Sequence, residues 1–152
     1  MSVTIRKARI KDVKAVHAML LNCTDGLVLP RSFNQLYSHL RDFFVAVDDT
    51  DNTVGCCALS ICWEDLGEIR SLFVVPELRG TGLARKLIEA CISEALTLGI
   101  YRVFTLTDKP AFFVKQGFDE VGKEVLPQKV WADCINCPRF PDCDEVPLLM
   151  NL

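Results

Sequence analysis

Apolar and polar positions alternate over residues 3–8, the period of a strand with one buried face. The period then lengthens: Val13, Val16 and Leu20 fall at helical spacing, so residues 11–22 predict an amphipathic helix with Asp12 in its first turn. Thr24, Asp25 and Gly26 break that helix, residues 27–31 read as a loop, and Ser32 is placed to cap a short helix ending near Leu40. Residues 43–47 and 54–63 are β-rich runs separated by Asp48, Asp49, Thr50, Asp51 and Asn52, which is turn chemistry, and they predict an antiparallel hairpin. A further strand over 68–75 is stopped by Pro76.

Leu87, Ile88, Cys91, Ile92 and Ala95 share one face of a helix over 83–98, which Gly99 ends. Residues 101–107 read as a strand and 110–116 as a short helix opened by Pro110 and closed by Gly117. Phe118 begins another extended piece, and residues 145–152 form a candidate last strand. The order β-α-α-β-β-β-α-β-α-β predicts an α/β fold whose sheet carries helices on both faces.

Composition narrows the function classes. The 152 residues correspond to a single domain, residues 1–152, and 50% hydrophobic with 24% charged residues describes an ordinary globular chain. With 17 Lys and Arg against 20 Asp and Glu the formal charge is −3, which gives nucleic acid no electrostatic footprint. No apolar run approaches the roughly 18 residues of a membrane span. Arg6, Lys7 and Arg9 stand where a signal peptide needs its apolar stretch, so a cytoplasmic location with reduced thiols is expected.

The eight cysteines divide by context. Cys56, Cys57, Cys62 and Cys91 lie in apolar segments and read as small buried core residues, and Cys23 lies near a helix end. Cys134, Cys137 and Cys143 cluster in a polar, Pro-bearing segment over 131–145 and offer three soft ligands for zinc. A second CxxC and a nearby His are missing, since His17 and His39 are distant and read as helix-surface residues. A metal or redox role and a structural or substrate-lid role both stay open for this segment.

The chemistry concentrates over residues 72–85, which read strand, glycine loop, helix. Gly80 and Gly82 let the backbone turn tightly, and the loop delivers unpaired N–H groups at the positive end of the following helix, a site for pyrophosphate. The spacing fits neither the Walker loop nor the dinucleotide fingerprint. It resembles instead the Arg/Gln-x-x-Gly-x-Gly/Ala signature of the GNAT superfamily of acetyl-CoA-dependent N-acetyltransferases, through Arg79, Gly82 and Ala84. Phe112-Phe113-Val114-Lys115-Gln116-Gly117-Phe118 is similar to that family's late aromatic and Gly-Phe step.

The resemblance implies the GNAT acyl-CoA N-acyltransferase fold, a mixed, mostly antiparallel sheet, with acetyl-CoA as co-substrate. It also implies that the strand before the loop splays from the next one. Leu72, Phe73, Val74 and Val75 are then placed along the pantetheine arm. Arg79, Gly80, Thr81, Gly82, Leu83, Ala84 and Arg85 surround the pyrophosphate. Phe113 meets the cofactor at the position where many members carry a thiolate-protonating tyrosine.

Five shorter pieces resemble the acetyltransferase domain of N-acetylglutamate synthases, in particular the short bacterial forms without an amino-acid-kinase domain. They are Leu29-Pro30-Arg31-Ser32, Gly55-Cys56-Cys57-Ala58-Leu59, Gly67-Glu68-Ile69-Arg70, Val103-Phe104-Thr105-Leu106-Thr107 and Leu126-Pro127-Gln128-Lys129. This likeness implies acetylation of the L-glutamate α-amine in arginine biosynthesis, with a homodimer as the partner state and neither nucleic acid nor membrane bound. It gives Glu68 the role of general base, Thr107 that of hydroxyl donor to the leaving thiolate, and Arg31, Arg70, Ser71 and Lys129 the acceptor. An oxyanion would meet backbone N–H groups near Leu72 and Phe73. On the residues alone, Glu68 reads also as an ion-pair partner of Arg70, Thr107 as a strand-end residue and Arg31 as a solvated loop arginine. Ser60 departs from the longer synthases, which carry a Lys there, so another small amine or amino acid stays open as acceptor. So does a CoA-binding thiol or metal sensor built on the cysteine tail.

Overall fold

The computed structural model describes residues 2–21, 32–127 and 145–152. In chain order these form β1 (Val3–Lys7), α1 (Val13–Leu21), α2 (Phe33–Ser38), β2 (Phe43–Asp48), β3 (Thr53–Trp63), β4 (Leu66–Val74), α3 (Leu83–Thr97), β5 (Arg102–Thr107), α4 (Pro110–Lys115), β6 (Asp119–Glu120) and β7 (Val146–Asn151). The strands make one seven-stranded sheet in the order β1-β2-β3-β4-β5-β7-β6. Only β4 and β5 run parallel; the other neighbours are antiparallel. The expected fold class is therefore the observed one.

Strand alternation builds a core on each face. Val45, Cys56 and Ala58 point toward α1 and α2, where they meet Val13, Val16, Leu20 and Leu36. Ala46, Cys57, Leu59 and Ile69 point the other way, against Leu87, Ile88, Cys91 and Ala95 of α3 and Phe113 of α4. Each fully buried aliphatic or aromatic side chain contributes about 1.5–3 kcal/mol through removal from water. The helices thus cover the middle strands of the sheet from both sides.

Local chemistry explains the element ends. Ser32 Oγ accepts from the Gln35 N–H at 3.1 Å while Gln35 Oε1 accepts from the Ser32 N–H at 2.9 Å, a full capping box at the start of α2. Asp48 Oδ1 accepts the N–H groups of Thr50 and Asn52, both at 2.9 Å, and closes the β2–β3 turn. At the end of α4, Gly117 lies at φ 100°, which lets Phe118 N–H reach Phe113 O at 3.1 Å and Gly117 N–H reach Val114 O at 3.0 Å. The rings of Phe113 and Phe118 then meet edge to face at 5.5 Å, so the late Gly-Phe step is a helix stop locked by an aromatic pair.

Two expectations are corrected. The helix expected over 11–22 opens with a 3-10 turn, Ile10–Asp12, and α1 begins only at Val13. Asp12 lies in the first turn of that 3-10 helix, where it is buried and binds Arg6 and the Arg9 N–H. Cys62 is half-buried, because β3 runs out toward solvent beyond Leu59, whereas Cys56, Cys57 and Cys91 are fully buried.

Candidate active site

β4 and β5 pair at only two positions, Gly67 with Val103 and Glu68 with Phe104. Both strands continue, β4 to Val74 and β5 to Thr107, so beyond Glu68 they splay apart. The other edge of β4 stays paired with β3 as far as Val74 opposite Gly55. The edge of β4 facing the splay therefore presents backbone groups to a gap, as an extended ligand arm requires.

Within that stretch β4 carries an extra residue. Cys56 pairs with Phe73 and Ala58 with Arg70, leaving Ser71 and Leu72 opposite Cys57 alone. Ser71 sits at φ 56°, a region that side-chain-bearing residues seldom occupy. Two side chains hold this segment: the Cys56 thiol donates to Ser71 O at 3.3 Å, and the buried Thr105 hydroxyl donates to Ile69 O at 2.9 Å. The sequence reads Cys56 only as a buried core residue and gives Thr105 no role; both lie in the quoted motifs, but the bulge and the splay that give them work are tertiary features.

Glu68 and Arg70 lie on one face of β4, with Glu68 Oε1 and Arg70 Nη1 3.8 Å apart. Ser60 stands across from Glu68 on β3, and its hydroxyl donates to Asp42 Oδ2 at 3.5 Å. His39 Nδ1 lies 3.6 Å from that same oxygen. His17, expected on a helix surface, stacks on Phe33 at 3.9 Å and joins α1 to α2.

At the far end of β4, Gly82 at φ 84° caps α3, and the first intrahelical donor is the Lys86 N–H to Gly82 O at 3.2 Å. The N–H groups of Leu83, Ala84 and Arg85 precede it at the positive helix end and suit a pyrophosphate. Arg79 Nε donates to Val74 O at 3.2 Å and its guanidinium lies 5.7 Å from the Phe73 ring, tying the loop to the end of β4. Thr81 Oγ1 donates to Leu78 O, and Arg85 pairs with Glu89 at 2.9 Å.

Thr107 is buried at the end of β5, where its oxygen accepts the Lys109 N–H at 3.0 Å, and its hydroxyl proton can still be donated. Phe113 is buried between Phe112 and Phe118. Arg31, Lys129, Cys23, Cys134, Cys137 and Cys143 lie outside the described residues. Among the described residues, no cluster of three or more His, Cys, Asp or Glu side chains is arranged to hold a metal ion, and no helix is long and apolar enough to cross a membrane.

The profile of the acetyltransferase (GNAT) family matches residues 14–118. The chain belongs to the GNAT family of acetyltransferases. An uncharacterized N-acetyltransferase of Chlorobaculum tepidum is 39% identical over 149 residues, covering 97% of this chain and 96% of that protein. An amino-acid acetyltransferase of Mycobacterium tuberculosis is 34% identical over 119 residues, covering 77% of this chain and 68% of that one. The crystal structure of N-acetylglutamate synthase from Neisseria gonorrhoeae, complexed with coenzyme A and N-acetyl-glutamate, matches with a TM-score of 0.89 at 28% identity. That match covers 100% of this chain and 35% of the longer one.

As a GNAT acetyltransferase the protein uses acetyl-CoA as co-substrate. The donor set fits: the β4 edge along the splay suits the amide groups of a pantetheine arm, and the α3 N-terminus suits the pyrophosphate. A Cβ at Gly80 or Gly82 would meet nothing within 4 Å, so the loop surface is open for close approach.

Proposed function

We infer that the protein acetylates the α-amino group of L-glutamate, as an N-acetylglutamate synthase of the cytoplasm serving arginine biosynthesis. The observation that carries this reading is Glu68 beside Arg70 at the origin of the splay, a base and a carboxylate partner where the acyl carbon would lie. The relatives named amino-acid acetyltransferase support it.

Glu68 takes a proton from the acceptor ammonium, directly or through water, because only the neutral amine is a nucleophile. Arg70 holds an acceptor carboxylate through its planar fork, with Arg31, Ser71 and Lys129 completing the acceptor subsite. The amine nitrogen bonds to the acetyl carbon, and backbone N–H groups of Leu72 and Phe73 stabilise the oxyanion. Collapse breaks the carbon–sulfur bond, and the Thr107 hydroxyl hydrogen-bonds the departing thiolate, which takes up the released proton. Phe113 carries no hydroxyl, so it packs and does not donate.

The test is thiol release from acetyl-CoA with glutamate and a panel of other amino acids and small amines. Release with glutamate above all others supports the reading; background release with glutamate but turnover of another amine overturns the acceptor. A second acceptor class is favoured by Ser60, which stands opposite Glu68 beside Asp42 where longer synthases carry a Lys. The sensor reading of Cys134, Cys137 and Cys143 predicts stoichiometric zinc by elemental analysis, lost in a Cys134→Ser, Cys137→Ser variant.

A further inference from the structure

In an unbroken strand, carbonyls two residues apart point to the same edge. Those of Ile69 and Ser71 do not. Ile69 O is taken by the Thr105 hydroxyl of β5, and Ser71 O by the Cys56 thiol of β3 on the opposite side. The extra residue at Ser71 and Leu72 and the left-handed φ of Ser71 account for the reversal. Because the peptide is planar and trans, a Ser71 carbonyl aimed at β3 aims the Leu72 N–H away from β3, into the splay.

We propose that Thr105 and Cys56 are positioning residues for acetyl transfer, a two-sided clamp that fixes the direction of the Leu72 N–H. Thr105 lies one residue beyond Phe104, the last β5 residue paired with β4, and Ile69 lies one beyond Glu68. Its hydroxyl replaces the backbone donor that the diverging strand withdraws, and so sets where the splay starts. Cys56 is fully buried and holds a conformation that Ser71 would otherwise leave, since a side-chain-bearing residue at φ 56° persists only when its surroundings enforce it. The spare backbone space is small: a Cβ on Gly55 would come within 3.1 Å of Phe73 O, so β3 abuts the segment it holds.

The inference rests on the acetyltransferase reading for its kinetic consequence, not for its structural one. Thr105→Val keeps the shape and removes the donor, Cys56→Ala removes the thiol, and Thr105→Ser and Cys56→Ser restore a donor. Steady-state kinetics with acetyl-CoA and glutamate are paired with crystal structures of the variants. Thr105→Val and Cys56→Ala should each lower kcat by about 10- to 100-fold, less than the roughly 100- to 1,000-fold of an oxyanion donor removed outright because the donor stays and only its aim is lost, with acceptor KM changed less than about twofold. The Ser variants should recover most of that loss, and the Ser71–Leu72 peptide should turn in the donor-less variants while α3 keeps its place. A kcat within about twofold of the parent in both donor-less variants overturns the proposal, as does an unchanged Ser71–Leu72 peptide in both. If the parent acetylates no acceptor, the functional reading fails and the orientation of the Ser71–Leu72 peptide alone decides the clamp. If Thr105→Val does not fold, Thr105→Ala is judged by the same criteria.

Discussion

Glu68 and Arg70 stand two residues apart on one face of β4, their charged atoms 3.8 Å apart, at the point where β4 leaves β5. That distance is a loose ion pair, and in the proposed reaction Glu68 takes the amine proton while Arg70 binds a carboxylate. Glu68→Gln keeps the shape and removes the base. It should lower kcat by about 100-fold near neutral pH, with the deficit shrinking as pH rises and the amine loses its proton unaided. A pH–rate profile parallel to the parent's would remove Glu68 as the base.

Arg70→Lys keeps the charge but loses the two-pronged donor geometry. The acceptor KM should rise by about tenfold with a smaller change in kcat, the pattern of lost recognition. An unchanged KM for every acceptor tested would detach Arg70 from the acceptor subsite.

The pattern of residue types, with its turn and stop signals, located the strands and helices that carry the site, because β3, β4 and α3 are long. It also placed Glu68 and Arg70 on a common face, since a strand repeats every two residues. It was blind to the bulge at Ser71, where a residue of ordinary polarity adopts a left-handed φ under pressure from β3. The splay was legible only through family likeness, because strand pairing is a relation between segments 30 and more residues apart. β6 is two residues long, Asp119 and Glu120, and one further backbone bond, Val121 N–H to Pro147 O at 3.0 Å, ties the chain after it to β7.

The buried Asp12 carboxylate accepts from Arg6 at 2.7 and 3.0 Å and from the Arg9 N–H at 2.7 Å. Burial pushes its carboxyl pKa up, but the Arg6 and Arg9 hydrogen bonds outweigh burial and hold it below the ordinary 3.8. The unfolded chain therefore takes up this proton first as pH falls. The stabilisation is complete above about pH 4 and is lost as pH drops through the folded value. Asp12→Asn should cost about 2 kcal/mol at neutral pH and lower Tm by about 4–8 °C. Its acid-unfolding curve should be flatter than the parent's below about pH 4; an identical slope would exclude Asp12 from the linkage.

Cys57 and Cys91 face each other across the β3–α3 interface, both fully buried. A hydrogen bond with Cys91, together with burial, pushes the Cys57 thiol well above the ordinary 9.0. Iodoacetamide on the native protein should leave Cys56, Cys57 and Cys91 unmodified and, among the cysteines of the described residues, reach the half-buried Cys62 first, as read by peptide mass spectrometry. Native labelling of Cys57 at the rate of Cys62 would contradict the packing of this face.

Gly82 separates two uses of glycine. Its φ of 84° is one that a side chain adopts at a cost of about 1 kcal/mol, and a Cβ there meets no protein atom within 4 Å. Strain alone thus predicts that Gly82→Ala loses about 1 kcal/mol of stability and keeps its affinity for coenzyme A. A pyrophosphate seated on the N–H groups at the start of α3 predicts more, because the added methyl would occupy the face that the phosphates approach. The dissociation constant for coenzyme A should then rise by about tenfold or more, beyond what the loss of stability would produce. Calorimetric titration of the folded variant separates the two, and an unchanged dissociation constant would place the phosphates elsewhere on the loop.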